Sequence, residues 1–243
     1  MPLADAQVER ALAIAAHPDD LDFGAAGTIA AWVRSGITVS YCIVTNGDAG
    51  GFDPTVARTD IPGIRQREQC DAAAAVGVTD VAFLGYPDGR VAPDLALRRD
   101  LARQIRRVRP HRVIAPSPER DFERVFASHP DHLATGEASL CAVYPDARNA
   151  FAYPELLADE GLDAWVVPEV WLQGGPAERT TTYVDATDAF EAKLAALRAH
   201  VSQTEHMDDL EALLRSWMTG VAWAGKLGPG RLAEGFQVLD TGE

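Results

Sequence analysis

The sequence predicts a three-layer α/β fold, in which a mostly parallel sheet is covered by helices on both faces. Short apolar runs alternate along the chain with longer segments of helical periodicity. The apolar runs are nearly continuous, as expected for strands that are buried on both faces. No repeat and no linker rich in Pro, Gly or Ser interrupts the 243 residues, so we expect a single domain over 1–243.

The first half of the chain shows this alternation clearly. Four short runs rich in apolar residues are predicted as strands: 11–16, 39–44, 81–85 and 112–116. The segments between them have helical patterns: 24–36, 64–77 and 94–108. Gly36 and Gly77 are suited to close the first two helices, and Asp94 is a plausible N-cap of the third. In a parallel sheet of this kind, functional residues collect at the carboxyl ends of the strands.

The second half is less regular. A helix is predicted to follow His129, with strands near 166–172 and 181–184. The next helix is predicted to carry four apolar residues on one face: Phe190, Leu194, Leu197 and Val201. A last helix is predicted over about 207–218, and Trp217 is expected in the core or at a contact between copies in a homo-oligomer.

The net charge and composition of the chain disfavour several classes of binding partner. The chain has 22 Lys and Arg against 36 Asp and Glu, a net charge of −14, which disfavours nucleic acid and anionic membranes. An acidic N-terminus, the lack of any long apolar segment and three scattered cysteines predict a cytoplasmic protein. The G-A-A-G at 24–27 lacks the spacing of a dinucleotide-binding loop, which disfavours a nucleotide-binding protein.

The string His17-Pro18-Asp19-Asp20 follows the first predicted strand. An imidazole and a carboxylate three residues apart across this turn can converge on one cation, while Asp19 lies beside it as a spare carboxylate. The alternative is that an aspartate caps the next helix and His17 makes a surface hydrogen bond. Two adjacent carboxylates at a buried strand end are costly without a compensating cation, which favours the metal site.

A second string, His129-Pro130-Asp131-His132, begins a predicted helix. His129 and His132 are three residues apart, so their side chains can lie on one side of the first turn. One imidazole can bind a metal while the other acts as a hydrogen-bond donor or acid, and Asp131 can orient an imidazole from behind. Two unrelated surface histidines are the alternative, which the recurrence of His-Pro-Asp in one chain disfavours.

At these two strings the chain resembles the LmbE-like (PIG-L) family of zinc-dependent N-deacetylases. The family's A-H-P-D-D and H-P-D-H strings match residues 16–20 and 129–132. Weaker matches extend the resemblance to about residue 203: T-N-G-D-A-G-G at 45–51, R-x-x-E at Arg65 and Glu68, Y-P-D-G at 86–89, and K…H-x-S-Q at Lys193, His200, Ser202 and Gln203. One departure is visible, because many members have Glu directly after the two aspartates, where this chain has Leu21 and then Asp22.

The resemblance implies a Rossmann-like sheet and a role for each matching residue. It makes three residues the ligands of one zinc ion per chain: His17, Asp20 and His132. Asp19 would be the general base, and His129 would stabilise the oxyanion and protonate the leaving amine. Arg65 and Asp88 would bind sugar hydroxyls or a neighbouring group, although a solvated Arg65–Glu68 ion pair and a simple turn role for Asp88 are the alternatives. Fe²⁺ or another divalent metal also suits these ligands.

The expected function is therefore removal of an N-acetyl or other N-acyl group from an amino-sugar conjugate of the N-acetylglucosamine type. The partner would be this small molecule. An amidase acting on thiol conjugates is a related alternative. A non-catalytic binding protein with a structural metal is a third, which the spare carboxylate of Asp19 disfavours because a structural site closes with four protein ligands.

Overall fold

The computed structural model describes residues 2–125 and 128–242. Its strands form one seven-stranded sheet, in the order β3-β2-β1-β4-β5-β7-β6. The strand bounds are β1 Arg10–Ala15, β2 Thr38–Thr45, β3 Asp80–Tyr86, β4 Arg112–Pro116, β5 Glu169–Gln173, β6 Thr182–Asp185 and β7 Ala233–Asp240. The first five strands pair in parallel, whereas β7 runs antiparallel to both β5 and β6. The predicted α/β class with a mostly parallel sheet is confirmed.

Helices surround this sheet. Their bounds are α1 Asp20–Gly24, α2 Ala26–Arg34, α3 Ile61–Ala75, α4 Leu95–Val108, α5 Pro130–Cys141, α6 Pro154–Ala158, α7 Phe190–Ala199, α8 Val201–Thr204 and α9 Leu210–Ala224. Asp94 caps α4 as expected, because its side chain accepts a hydrogen bond from Leu97 N. None of the helices in the described ranges is long and apolar enough to cross a membrane.

The core consists of two apolar layers, one on each face of the sheet. Successive residues of β1 contribute to opposite layers, because side chains alternate along a strand. Ala13 packs in the layer with α2, α3, α7 and α9, whereas Leu12 and Ile14 pack in the layer with α4 and α5. All three side chains are fully buried, which explains why β1 lacks the polar alternation of a half-exposed strand.

Two of the predicted helices need correction. The helix predicted over 24–36 covers only Ala26–Arg34, because Gly24 ends the separate helix α1 and Ala25 departs from helical geometry at φ −140° and ψ 0°. The helix expected to include Val201 stops at Ala199, and Val201 is 52% exposed rather than on the buried face. The chain breaks there because His200 leaves helical geometry, at φ −81° and ψ 60°, and is itself fully buried.

The C-terminal region differs most from expectation. Helix α9 runs to Ala224, beyond the predicted end at 218, and the strand β7 that follows it was not predicted. Strand β7 lies between β5 and β6, so it converts the end of a parallel sheet into an antiparallel one. Trp217 is 52% exposed, so it does not lie in the core, and the alternative of a contact between copies stays a prediction.

Candidate active site

The two histidine strings meet at the carboxyl edge of the sheet. The first string follows β1, and the second lies at the start of α5, which comes after β4. Because β1 and β4 are parallel, hydrogen-bonded neighbours, their carboxyl ends lie side by side at the same edge of the sheet. His17 Nδ1 lies 3.3 Å from His132 Nε2, although 115 residues separate them in the chain.

Asp20 completes a set of three donors. Its Oδ1 lies 3.0 Å from His132 Nε2, and its Oδ2 lies 3.5 Å from His17 Nδ1. The ligand atoms of His17, Asp20 and His132 all lie within 4.8 Å of one another. Two imidazole nitrogens and one carboxylate that point at a common centre fit a divalent cation of the zinc, iron or manganese type.

The electrostatics of the cluster favour positive charge. Burial disfavours a charged His17, but Asp20 and Asp88 outweigh it and raise the pKa of His17 to about 11. Burial also opposes ionisation of Asp20, yet His132 and His17 hold its pKa well below the usual range. A site that stabilises a proton on His17 so strongly provides the negative potential that a metal cation requires.

Two carboxylates fix the His17 ring from its other side. His17 Nε2 lies 3.1 Å from Asp131 Oδ2 and 3.1 Å from Asp88 Oδ1. Asp131 is itself held by backbone N–H groups, since Gly89 N and Val91 N donate to its oxygens at 2.7 and 3.1 Å. When the neutral His17 ring donates its Nε2 proton to these carboxylates, its Nδ1 atom carries the lone pair, which faces Asp20 and His132.

A second group of potential ligands exists on this side of His17, formed with His129 and Asp131. We favour the set with Asp20 and His132 for two reasons. The oxygens of Asp131 already accept two backbone N–H groups, and His17 Nε2 already contacts two carboxylates. A cation there would have to displace these hydrogen bonds, whereas the Nδ1 side offers donors with fewer partners.

Asp19 stands beside the ligand set in a strained conformation. Its φ is +91°, in the left-handed region that residues other than Gly rarely adopt. Its backbone N donates to Gln69 Oε1 at 2.9 Å, and its Oδ2 accepts from Arg65 Nη2 at 3.0 Å. Burial raises the pKa of the Asp19 carboxyl to about 7, although the Arg65 charge opposes the shift. A carboxyl of that pKa is suited to act as a general base near neutral pH.

His129 is the N-cap of α5 and lies against the His17 ring. The two ring centroids are 4.9 Å apart in an edge-on arrangement. His129 Nδ1 accepts a hydrogen bond from Asp131 N at 3.2 Å, which places the proton of the neutral ring on Nε2. Burial and the charge of His17 lower the pKa of His129.

Arg65 and Asp88 lie at this site rather than at remote surface positions. Arg65 is 4% exposed and donates to Pro18 O as well as to Asp19, so the solvated pair with Glu68 is wrong. Glu68 instead accepts from Ser202 N and Oγ. Asp88 does more than form a turn, because its carboxylate contacts His17 and accepts from Ala49 N at 3.2 Å.

Sequence reasoning missed a buried hydrogen-bond chain behind Asp19. Gln69 accepts from Asp19 N and donates to Asp22 Oδ2 at 2.8 Å, and that oxygen also lies 2.8 Å from His200 Nε2. Asp22, Gln69 and His200 are all fully buried. Gln69 lies four residues after Arg65, on the same face of α3, and this spacing was the available signal.

A fully buried ion pair between Lys193 and Glu234 contacts the segment that follows the first histidine string. Lys193 Nζ donates to Asp22 O, Phe23 O and Glu234 Oε1, at 2.9, 2.6 and 2.7 Å. The Glu234 carboxylate also accepts from Gly27 N and Thr28 N in the first turn of α2. Lys193, which matches the family's K…H-x-S-Q pattern, therefore joins α7 to β7 and, through Glu234, to α2, next to the first histidine string.

Comparisons with known proteins find several deacetylases similar to this chain. The family model described as PIG-L, GlcNAc-PI de-N-acetylase, matches residues 12–143. A diacetylchitobiose deacetylase of Thermococcus kodakarensis is 31% identical over 96% of this chain and 84% of its own length. A probable N-acetyl-α-D-glucosaminyl L-malate deacetylase of Bacillus cereus is 30% identical over 84% and 89%. The solved structure of N,N′-diacetylchitobiose deacetylase from Pyrococcus horikoshii superposes with a TM-score of 0.84 and 29% identity, covering 97% of this chain and 85% of that one.

Proposed function

The chain belongs to the PIG-L family of de-N-acetylases, and on that premise we propose that it removes the N-acetyl group from an N-acetylglucosamine-type conjugate. One observation carries the proposal. The ligand atoms of His17, Asp20 and His132 converge within 4.8 Å, and Asp19 stands beside them with a raised pKa. This arrangement supports a metal site with a base beside it, which is what hydrolysis of an amide requires.

We propose zinc as the metal, one ion per chain, bound by His17, Asp20 and His132. Two imidazoles and one carboxylate are ligands that zinc accepts in catalytic sites, although iron, manganese and cobalt suit the same donors. Bound there, the metal would supply Lewis acidity to the amide carbonyl and to the attacking water. Asp131 and Asp88 would keep the His17 ring oriented through its Nε2 atom.

The protein's own groups account for the proton transfers. Hydrolysis breaks the amide C–N bond and adds water across it, giving acetate and a free amine. Asp19 accepts a proton from the attacking water, and Arg65 orients the Asp19 carboxylate through its Nη2 donor. The Nε2–H of His129 donates a hydrogen bond to the carbonyl oxygen as that oxygen gains negative charge, and the leaving nitrogen takes up the proton that Asp19 removed from the water. Arg65 and Asp88 bind sugar hydroxyls at the rim of the site.

The test is release of primary amine from N-acetylglucosamine conjugates, measured together with metal content. Wild-type protein is expected to contain about one divalent metal per chain and to release amine. Asp19→Asn should keep the metal and lose turnover by about 10²–10⁴-fold, the typical contribution of a general base. The matched control is Asp159→Asn, at an exposed position, which should behave as wild type.

Two results would contradict the proposal. Full activity in metal-free protein would contradict the metal site, and undiminished activity in Asp19→Asn would exclude that residue as the base. Stoichiometric metal without amine release from any N-acetylated amino sugar would instead favour a non-catalytic binding protein.

A further inference from the structure

Two residues of the C-terminal K…H-x-S-Q match converge on Asp22, a fully buried residue of α1. Asp22 comes two residues after the candidate donor Asp20. Lys193 Nζ donates to the backbone O of Asp22 at 2.9 Å, and His200 Nε2 lies 2.8 Å from its carboxylate. The C-terminal pattern therefore fixes both the backbone and the side chain of Asp22.

One oxygen of the Asp22 carboxylate, Oδ2, lies between two nitrogen atoms. Gln69 Nε2 donates to it at 2.8 Å, and His200 Nε2 lies at the same distance. An ionised carboxylate only accepts hydrogen bonds, so both neighbours present N–H groups to it. Within the described ranges, Asp22 Oδ1 and His200 Nδ1 are buried without a hydrogen-bond partner. The contacts of Oδ2 therefore set the orientation of the Gln69 amide and the His200 ring.

The orientation of the Gln69 amide decides which atom faces the backbone of Asp19. An amide has an accepting oxygen on one side and a donating NH₂ group on the other. With Nε2 directed at Asp22, Oε1 is directed at Asp19 and accepts from its backbone N at 2.9 Å. The reverse orientation would place Nε2 against the Asp19 N–H, donor against donor, and Oε1 against the carboxylate. Asp22 therefore selects the one orientation that bonds the Asp19 backbone.

The hydrogen bond from Asp19 N to Gln69 is important because Asp19 has a left-handed backbone, with φ +91°. An unfavourable backbone conformation of this kind persists only where surrounding contacts enforce it. Gln69 and Arg65 lie four residues apart on α3, and they bond the backbone N and the Oδ2 atom of Asp19. Asp19 is therefore held from α3 at two points, and Asp22 controls one of them.

We propose that Asp22 is a positioning residue for the base. Its carboxylate, held by His200, keeps the Gln69 amide turned towards Asp19 and thereby keeps the Asp19 carboxylate where it meets the attacking water. Asp22 touches neither substrate nor metal in this role. The inference rests on the proposed function and deepens it, since it extends the machinery of the base to Asp22 and His200.

The experiment compares Asp22→Leu with Asp22→Asn on metal-loaded protein. Leucine removes the acceptor that orients the Gln69 amide. The kcat of amine release should therefore fall by about tenfold, the scale of one hydrogen bond in the transition state, while KM and metal content stay unchanged. Asparagine has nearly the same shape and can direct its own oxygen at Gln69 and His200. Asp22→Asn should therefore keep the wild-type kcat, although its buried NH₂ group lowers stability in urea unfolding.

A double variant keeps the proposal testable if Asp22→Leu alone does not fold. Asp22→Leu combined with Gln69→Met replaces both buried polar partners by apolar side chains, which is often better tolerated than removing one of them. If Asp22 acts on the base only through Gln69, the double variant should have the kcat of Gln69→Met alone. A further loss of about tenfold in the double variant would overturn the proposal, because independent effects add in free energy.

Hydrogen exchange of the Asp19 amide gives a readout that does not depend on turnover. Asp22→Leu should accelerate this exchange by about tenfold relative to the amides of β1, whereas Asp22→Asn should leave it unchanged. Asp146→Leu is the matched control, because Asp146 is a buried carboxylate that accepts two hydrogen bonds from Arg98 on α4. That variant should lose stability but keep the wild-type kcat and the wild-type exchange of the Asp19 amide.

Three results would overturn the positioning role of Asp22. They are an unchanged kcat in Asp22→Leu, an equal loss of kcat in Asp22→Asn and Asp22→Leu, and a loss of the same size in Asp146→Leu. Failure of the wild type to release amine from any N-acetylated amino sugar would instead contradict the proposed function. In that case the exchange of the Asp19 amide in the two Asp22 variants still decides whether Asp22 controls the Asp19 backbone.

Discussion

At the scale of single residues, Asp19 is the most constrained position of the site. A left-handed backbone at a non-Gly residue costs about 1–3 kcal/mol and persists only where surrounding contacts enforce it. Gln69 holds the Asp19 backbone N, and Arg65 holds both the Asp19 carboxylate and Pro18 O. The hydrogen bond from Arg65 fixes the position of the Asp19 carboxylate, which suits the proposed roles of Asp19 as base and Asp20 as metal ligand.

Gln69→Met tests this constraint. Methionine has a similar length but leaves Asp19 N without its partner and removes one of the two contacts of Asp22 Oδ2, which keeps His200 Nε2. We expect unfolding free energy to fall by about 1–3 kcal/mol, the cost of buried groups left unpaired. We expect kcat to fall by about tenfold, since a misplaced base loses roughly the energy of one hydrogen bond in the transition state.

The control for this variant is on the same helix. Gln66 is half-buried and donates to Asn46 rather than to the Asp19 turn. Gln66→Met should therefore change kcat less than Gln69→Met does. Urea unfolding and amine release on metal-loaded protein measure both effects, and equal kcat values for the two variants would contradict the role given to Gln69.

At the scale of elements, the position of α5 decides whether the two histidine strings can meet. Gly136 lies in the middle of α5, directly over the end of β4. A Cβ atom there would lie 2.4 Å from Pro116 O and 2.8 Å from Pro118 N. These are backbone atoms that cannot rotate away, so the close approach of α5 depends on glycine.

Gly136→Ala is expected to push α5 outward and to displace His132 from its partners. Overpacking of this kind costs about 1–3 kcal/mol. The metal affinity should fall as well, because in the proposed site His132 binds the ion together with His17 and Asp20. Calorimetric metal titration and urea unfolding report the two effects separately.

Gly220→Ala in α9 is the matched control, because nothing lies within 4 Å of a Cβ atom at that position. Alanine should stabilise this exposed helical site by about 0.5–1 kcal/mol and leave metal affinity unchanged. A Gly136→Ala protein with wild-type metal affinity would show that α5 is not held by this contact.

A second element-scale prediction concerns the Lys193–Glu234 pair, which joins α7 to β7. Removing one partner of a fully buried ion pair leaves an uncompensated charge and typically costs about 3–5 kcal/mol. Lys193→Met should therefore destabilise the protein by that amount in urea unfolding. Arg198→Met, on the same helix but exposed, should change stability by about 0.5 kcal/mol or less. Similar stabilities of the two variants would contradict the importance of the buried pair.

At the scale of the whole molecule, the metal donors tie together segments that are far apart in the chain. His17 and Asp20 come from the turn after β1, and His132 comes from α5. A ligand that binds only the folded state stabilises it by mass action. Metal binding should therefore stabilise the fold as a whole rather than one element.

Chelation is expected to lower the melting temperature. With metal at a hundred times its dissociation constant, the stabilisation is about 2.7 kcal/mol, which corresponds to about 5–10 °C for a chain of this size. His132→Ala should melt at the same temperature with and without added zinc. His111→Ala, at a histidine that contacts Trp165 instead, should keep the zinc-dependent shift. A wild-type protein insensitive to chelator would contradict the metal site.

Much of this molecule was predictable because the relevant information is local. Continuous apolar runs predicted β1 to β4, and the Asp94 cap predicted the start of α4, since both signals lie within a few residues. The two His-Pro-Asp strings indicated the donors because each follows a strand of a parallel sheet. Strand β7 could not be predicted, because its half-buried pattern is explained only by its pairing with β5 and β6 on its two sides.

By itself, the sequence determined the fold class, and residue type and spacing indicated His17, Asp20 and the spare carboxylate of Asp19. Spacing left His129 and His132 open as the second imidazole, and only the family resemblance implied His132. Only the tertiary structure decided that Asp88 shares His17 with Asp131, that Gln69 holds the Asp19 backbone, and that Arg65 borders a cavity. The contact of His17 with Asp131 and that of Gln69 with Asp19 join residues 114 and 50 positions apart. Such pairings depend on how strands and helices pack, and no local pattern in the chain encodes them.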